Sequence, residues 1–332
     1  MAPTNTMPKV YIHLIRHAQA QSNYQAIRRT AAQQGHPAPE LTQADIDLCR
    51  SIQDPRLTPH GIQEALALRT NFPFMNKITH IITSPLRRTL QTTLLGLEPA
   101  IRRGIQPIAL DILRETGMGA NSCGSYLPSL LDKSANLGGE RVVTTEIERG
   151  WEVPTCSIGV DLRAKLVKYR IKDLARVARM QEFEREEARL ELDGGTGALF
   201  GHENRWLMEY DVPFVEEERD VHIAVVSHGS FLKRVIGDGS KQMGNAEYRT
   251  FEFEAKSEGG VGGYNLVETD ESYERWFTAL CEKEAAEKRI EEKEAAEADA
   301  ARSRLVGIAQ QALVLVERME LDGVDAVEID VA

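Results

Sequence analysis

The feature that most constrains this chain is the apolar run Val10 to Ile15, which stops abruptly at a cation and an imidazole, Arg16-His17. A run that is continuous in hydrophobicity rather than alternating suits a strand buried on both faces, the kind found inside parallel sheets. Polar groups delivered at the carboxyl end of such a strand sit where open α/β sheets hold their ligands. Arg16 and His17 are therefore site candidates, provided that other parts of the chain supply matching chemistry.

The chain is long enough for that arrangement. Its 332 residues, 42% hydrophobic and 27% charged, can bury one large core and still carry appendages. The net charge of -11 argues against nucleic acid or an anionic membrane as partner, because binding to either is driven by Lys and Arg displacing counterions. It does not oppose a phosphate pocket, which needs only a few local cations. No apolar run approaches the roughly 18 residues of a membrane span, and Met1 to Pro8 lacks the basic and apolar regions of a signal peptide. Cysteines at 49, 123, 156 and 281 are scattered, with neither a disulfide framework nor a zinc-ligand spacing, and there is no Asn-x-Ser/Thr acceptor. These features together predict a cytoplasmic protein without a cysteine-held zinc site, and no metal and no cofactor are called for where side chains supply the cations.

Taken in order, the chain repeats one pattern. After Tyr24 an excursion rich in Gly, Pro and charge runs to Gln53, with a short helix at Gln43 to Ser51. Asp54 to Gly61 is turn chemistry, and Thr58-Pro59 is a cap followed by proline in the first turn, opening a helix to about Thr70. A second strand spans 78–83, and Ser84-Pro85 is read as the cap and first turn of a helix that carries Arg87 and Arg88. A third strand, Pro107 to Leu113, ends in Arg114-Glu115. A Gly-, Ser- and Pro-rich excursion follows, then one long helix from about Leu162 to Leu192 that reads as a packing helix. The fourth strand, Val221 to Ser227, ends in His228-Gly229, with a helix from Ser230 to Ile236. Arg249 to Glu254 alternates like an edge strand, and beyond Glu271 the chain is helical, with an apolar-faced segment from Leu305 to Met319.

The fold class expected is α/β, a three-layer α/β/α sandwich with a mostly parallel central sheet, plus a C-terminal helical extension. The domain reading is 8–270, with insertions at 24–53 and 116–205, and a helical extension at 271–332 that could join copies into a homo-oligomer. In a parallel sheet the four strand ends share one edge, so Arg16, His17, Arg88, Glu115 and His228 can converge although they span more than two hundred positions. Several cations buried together cost several kcal/mol unless an anion offsets them. The natural anion is a phosphoryl group.

These residues carry a resemblance. Leu14-Ile15-Arg16-His17-x-Gln19-x-x-x-Asn23 resembles the Arg-His-Gly signature of the histidine phosphatase superfamily, the phosphoglycerate mutase-like proteins. Ser84-Pro85-Leu86-x-Arg88-x-x-Gln91-Thr92 resembles its second-arginine motif, Leu113-x-Glu115 its acid motif, and Val226-Ser227-His228-Gly229 its second-histidine motif. Asp54-Pro55-x-Leu57-Thr58-x-x-Gly61 is similar to the connecting motif. The Arg-His-Ala-Gln form and the stretch from Glu115 to Cys123-Gly124-Ser125 are most similar to intracellular fungal members. The departures are Ala18 for the usual Gly, Ala20 for Ser or Thr, and Glu64 for Gln.

The resemblance implies a phosphatase acting on a small-molecule phosphate ester. His17 would be the nucleophile, Glu115 the proton donor, and Arg16, Asn23, Arg88 and His228 would hold the phosphoryl oxygens. Crowding by Arg16 and Arg88 would keep His17 neutral and nucleophilic. Two other readings use the same residues, a phosphomutase that returns the phosphoryl group to substrate and a catalytically weak phospho-ligand binding protein. Arg87 is expected to face outward or toward the substrate. His13, His36, His60, His80, His202 and His222 are expected to be structural or exposed, and Cys123 a small residue of a site-covering loop.

Overall fold

The computed structural model describes residues 8–23, 42–125, 141–144, 147, 151, 159–180, 214–216, 219–237, 240, 243–254 and 265–321. The chain divides into two compact units, Met1–Ser272 and Tyr273–Ala332.

Apolar side chains at successive positions of the opening run cannot all point to one face of a strand, so that run demands cover on both sides. The first unit supplies it. The run is strand β1 (Val10–Arg16), central in a six-stranded sheet of order β3-β2-β4-β1-β5-β6. Strands β2 (His80–Thr83), β3 (Pro107–Ala109) and β4 (Val221–Ser227) run parallel with it, while β5 (Tyr248–Phe253) and β6 (Leu266–Glu268) close the other side antiparallel. The helices of this unit are α1 (Gln43–Ser51), α2 (Pro59–Asn71), α3 (Arg87–Gly96), α4 (Glu98–Arg102), α5 (Val160–Arg179) and α6 (Gly229–Ile236).

Alternation along the strands divides the core into two layers. Ile12, Leu14, Ile82, Ile223 and Val225 pack against Val167, Ile171 and Leu174 of α5 and Phe231, Leu232 and Val235 of α6. Ile15, Ile81, Ala224 and Val226 pack against Leu68 of α2, Leu90 and Leu94 of α3 and Ala100 of α4. The result is the three-layer α/β/α arrangement with a mostly parallel sheet.

Several sequence expectations need correction. Strand β3 stops at Ala109, and a 3-10 turn occupies Asp111–Leu113, so Glu115 leaves a turn rather than a strand. The strand near 249–254 lies between β1 and β6, and the edge is the unanticipated β6, whose three residues are too few to leave a periodic signal. Helix α6 starts at Gly229, with His228 as its cap residue. The long helix starts at Val160 and ends at Arg179, and its anticipated continuation to 192 lies outside the described residues, as do most of the two excursions. Ser84 does not cap α3. That helix starts at Arg87 after Leu86 without a side-chain cap of its own, and the carboxylate of Asp54, from a distant turn, accepts the Arg87 amide at 2.8 Å instead.

The second unit is helical through Leu321, within helix α7 (Asp270–Leu321). Tyr273 stacks on Phe277 one turn later with centroids 6.1 Å apart, and Lys288–Glu292 and Lys293–Glu297 are i,i+4 pairs, each contributing only a few tenths of a kcal/mol. Ile290, Leu305, Val306 and Ile308 are exposed, and the apolar-faced segment continues into side chains outside those described. Among the described residues, no helix is long and apolar enough to cross a membrane.

Candidate active site

The parallel register places the polar strand ends side by side. Arg16 pairs with Ser227, and Thr83 with both Val226 and Ala109, so the segments after β1, β4, β2 and β3 emerge at one edge. There a cavity of ≈ 750 Å³ is lined by Arg16, His17, Asn23, Arg88 and Glu115, with Ser22, Arg50 and Ser230 among the neighbours. A second cavity of ≈ 740 Å³ lies at the opposite end of the strands, beside Lys77, Asp220 and His222, and holds none of the motif residues.

His17 is oriented from both nitrogens. Its Nδ1 is 2.7 Å from the carbonyl oxygen of Ala18, which can only accept, so Nδ1 carries the proton. Nε2 is left with its lone pair, and Nε of Arg88 donates to it at 3.2 Å. The imidazole is buried and beside two guanidinium groups, so burial first, then Arg88 and Arg16, push its pKa well below the ordinary histidine value. The neutral form expected from the sequence follows, with burial rather than charge repulsion as the larger cause.

His228 packs edge-on against His17, with ring centroids 5.1 Å apart. Burial, followed by Arg88, His17, Arg16 and Arg163, holds its pKa well below the ordinary value. In this state it is uncharged. Its Nε2 lies 2.9 Å from Ser84 Oγ, and Nδ1 has no hydrogen-bond partner among the described residues. His228 is fully buried and is not part of the cavity wall. Ser84, read as a helix cap, accepts the Leu86 amide at 3.3 Å and is at the same time the partner of this ring.

The arginines are held by backbone. Arg88 Nη1 donates to the Asn121 carbonyl at 2.8 Å, and Arg16 Nη1 to the Met243 carbonyl at 2.6 Å. Burial lowers both pKa values from the usual arginine figure, and the charge of Glu115 opposes that shift in each. The Oδ1 of Asn23 accepts from the Ala20 amide at 2.8 Å, and its amide nitrogen lies 3.5 Å from Asn245 Oδ1. Glu115 Oε1 accepts from the Thr116 amide at 2.8 Å.

The connecting motif proves to be a clamp on the loop after β1. Thr58 donates its amide to the Gln19 carbonyl at 3.0 Å and its hydroxyl to Gln19 Oε1 at 2.9 Å, while Glu64 accepts the Gln19 amide at 2.7 Å. Glu64 thus makes a full contact despite departing from the usual Gln. Ala18 donates its amide to Thr92 Oγ1 at 3.0 Å, and Leu57 donates to Gln91 Oε1 at 2.8 Å, joining the loop, the clamp and α3. Ala20 is buried and bridges Leu57 rather than facing the cavity, so a hydroxyl at position 20 would not line the cavity in this arrangement, whereas Ser22 does.

Arg87 is half-buried and absent from the cavity wall. His13 and His222 are buried and joined, Nε2 to Nδ1, at 3.0 Å, and His80 is buried with Nδ1 2.8 Å from Thr79 Oγ1. His60 pairs with Glu64 at 3.1 Å, and His36 and His202 lie outside the described residues. Cys123 is half-buried beside the Gly119 carbonyl.

Two residues were not anticipated as contributors. Asp54 is buried at φ 41°, accepts the amides of Arg87 and Ser125, and so fixes both the helix that carries Arg88 and the segment beyond Cys123. Its place before proline, in a turn rich in such chemistry, was the available signal. Arg163 lies 4% exposed on the stripe shared by Val167, Ile171 and Leu174. A cation at a stripe position of an otherwise apolar face was a signal that a packing interpretation absorbed.

Residues 42–122 match the family model of the histidine phosphatase superfamily (branch 1). No curated protein matches the chain. Solved structures similar to it include a phosphoserine phosphatase mutant from Entamoeba histolytica in complex with phosphoserine, at 16% identity over 79% of this chain and 95% of that one, TM-score 0.36. A mycobacterial glucosyl-3-phosphoglycerate phosphatase is similar at 13% identity over 78% and 97%, TM-score 0.37. A phosphoglycerate mutase from Bacillus anthracis is similar at 16% identity over 74% and 89%, TM-score 0.36. The matched segment holds the connecting, second-arginine and acid motifs, and the two histidine motifs outside it meet the same edge of the sheet, so over residues 42–122 the chain is similar to the histidine phosphatase superfamily, branch 1.

Proposed function

We propose that this protein is a phosphatase that hydrolyses a small-molecule phosphate ester through a phosphohistidine on His17, with Glu115 as proton donor. The observation that carries this reading is the arrangement of His17, whose proton is fixed on Nδ1 by the Ala18 carbonyl while Nε2 keeps its lone pair at the cavity. Arg88 and Arg16 supply positive charge beside it without any requirement for a metal.

In the first step Nε2 of His17 attacks phosphorus, an N–P bond forms and the ester P–O bond breaks. The departing alkoxide takes the proton of the Glu115 carboxyl. Arg88, released from Nε2 as that lone pair becomes a bond, turns its donors to the phosphoryl oxygens with Arg16 and Asn23, and arriving negative charge favours protonation of His228. In the second step water attacks phosphorus, Glu115 takes its proton, the N–P bond breaks and inorganic phosphate leaves. Dividing one displacement in two is what a nucleophilic side chain contributes.

The scattered cysteines, which form no disulfide framework, support a cytoplasmic place for this reaction. The test is phosphate release from 4-nitrophenyl phosphate and from a panel of sugar, nucleotide, acyl and prenyl phosphates, with His17→Ala in parallel. Turnover by the wild type and none by the variant is expected. Full activity in the variant overturns the reading.

A further inference from the structure

The segment that delivers Glu115 has no strand to hold it. It follows the 3-10 turn Asp111–Leu113, and four successive carbonyls along it accept from side chains instead. Arg163 Nη1 donates to Arg114 O at 2.9 Å and lies 3.4 Å from Ile112 O, Arg163 Nη2 lies 3.4 Å from Glu115 O, and Ser227 Oγ donates to Leu113 O at 2.7 Å. The guanidinium carbon of Arg163 also sits 5.0 Å from the ring centroid of Phe231, in the first turn of α6, the helix that His228 caps. One side chain on α5 therefore bridges the acid-bearing segment and the second-histidine helix.

A cation buried to this degree is an expensive way to fill space. A guanidinium, with five N–H donors in a fixed fork and a face that stacks on aromatic rings, is suited to collecting several carbonyls while packing on a ring.

We propose that Arg163 is a positioning residue for the reaction, fixing the carbonyl run that carries Glu115 against the helix that His228 precedes as cap residue, and so setting the reach of the carboxyl toward the leaving oxygen. This rests on the reading of Glu115 as proton donor. Its consequence is selective: help from a proton donor matters most when the departing oxygen is strongly basic and least when the leaving group is already stable.

The test compares kcat/KM on phenyl phosphate with kcat/KM on 4-nitrophenyl phosphate, which reads the steps up to phosphoryl transfer and not the hydrolysis of the shared phosphohistidine, for the wild type, Glu115→Gln, Arg163→Gln and Arg163→Lys. Both substrates are measured on one preparation, so a misfolded fraction lowers the two rates equally and leaves their ratio unchanged. Arg163→Gln is expected to lose roughly tenfold or more of kcat/KM on phenyl phosphate relative to 4-nitrophenyl phosphate, in the same direction as Glu115→Gln. Arg163→Lys, which keeps the charge without the fork, is expected to shift the ratio in that direction by less. An unchanged ratio in both Arg163 variants, with a shifted ratio in Glu115→Gln, overturns the role of Arg163 and leaves the acid assignment standing. An unchanged ratio in Glu115→Gln overturns both.

Discussion

Arg88 donates its Nε hydrogen to the Nε2 lone pair of His17 across 3.2 Å, so the group proposed to hold the phosphoryl oxygens also holds the proposed nucleophile. Removing that guanidinium leaves Nε2 exposed to protonation and strips charge from the transition state. Arg88→Ala is expected to lower kcat/KM for 4-nitrophenyl phosphate by about a thousandfold, as loss of a transition-state donor does elsewhere. Steady-state kinetics check it, and a change under tenfold would remove Arg88 from the reaction.

Asp54 accepts two amides, from Arg87 at 2.8 Å and Ser125 at 3.1 Å, and is buried. Asp54→Ala leaves both amides without that acceptor and uncaps the helix that carries Arg88. A loss of about 2 kcal/mol in unfolding free energy is expected, at the upper end of the range for helix caps, together with a fall in kcat. Urea denaturation and the same phosphatase assay report the two effects.

Gly61 is required by space rather than by backbone angle. A Cβ there would lie 2.0 Å from the Gln19 carbonyl oxygen, which is backbone and cannot swing aside. Gly61→Ala must push α2 and the loop after β1 apart, with an expected cost of about 2 kcal/mol or more and a loosened His17. A midpoint of denaturation equal to that of the wild type would contradict this packing.

Stability should fall on acidification from neutral pH. His17, His222 and His228 are all held below the ordinary histidine value of 6.5, His222 at about 4, so at these three rings the unfolded chain binds more protons than the folded one in that interval, outweighing the opposite effect of Asp54 and Glu247, whose carboxyls burial pushes up. Unfolding free energy then rises with pH, its contribution complete above about 6.5 and lost as pH falls toward the folded values. Urea midpoints measured between pH 7 and 4.5 should decline, and His222→Gln should flatten part of the slope. A wild-type midpoint that does not move with pH would show that these rings charge without cost.

The cap of α3 shows why local reading stops where it does. Ser84-Pro85 has the composition of a helix start, and Ser84 Oγ does accept the Leu86 amide at 3.3 Å, yet the helix begins only at Arg87, whose amide goes to Asp54, thirty-three positions earlier, and the same Ser84 oxygen also lies beside the ring of His228. Both outcomes depend on which segments meet after the sheet forms, and no spacing rule contains that. Strand β6 escaped notice for a related reason, since a three-residue edge is defined by its neighbour and not by a period of its own. Arg163 stood on a readable stripe, but only the path of the chain after β3 shows that its partners are carbonyls at the base of Glu115.

The sequence by itself determined the parallel strands, their order along the chain, and the residue types gathered beyond their ends, though not where the third strand stops. Hydrophobic runs and helix starts are local properties, and a parallel sheet converts their order into a shared edge. Tertiary structure alone decided the protonated nitrogen of His17, the burial of His228 beneath it, and the side chains that hold Asp54 and Glu115 in place. Those depend on distances of about 3 Å between groups far apart in the chain, which packing sets and composition does not.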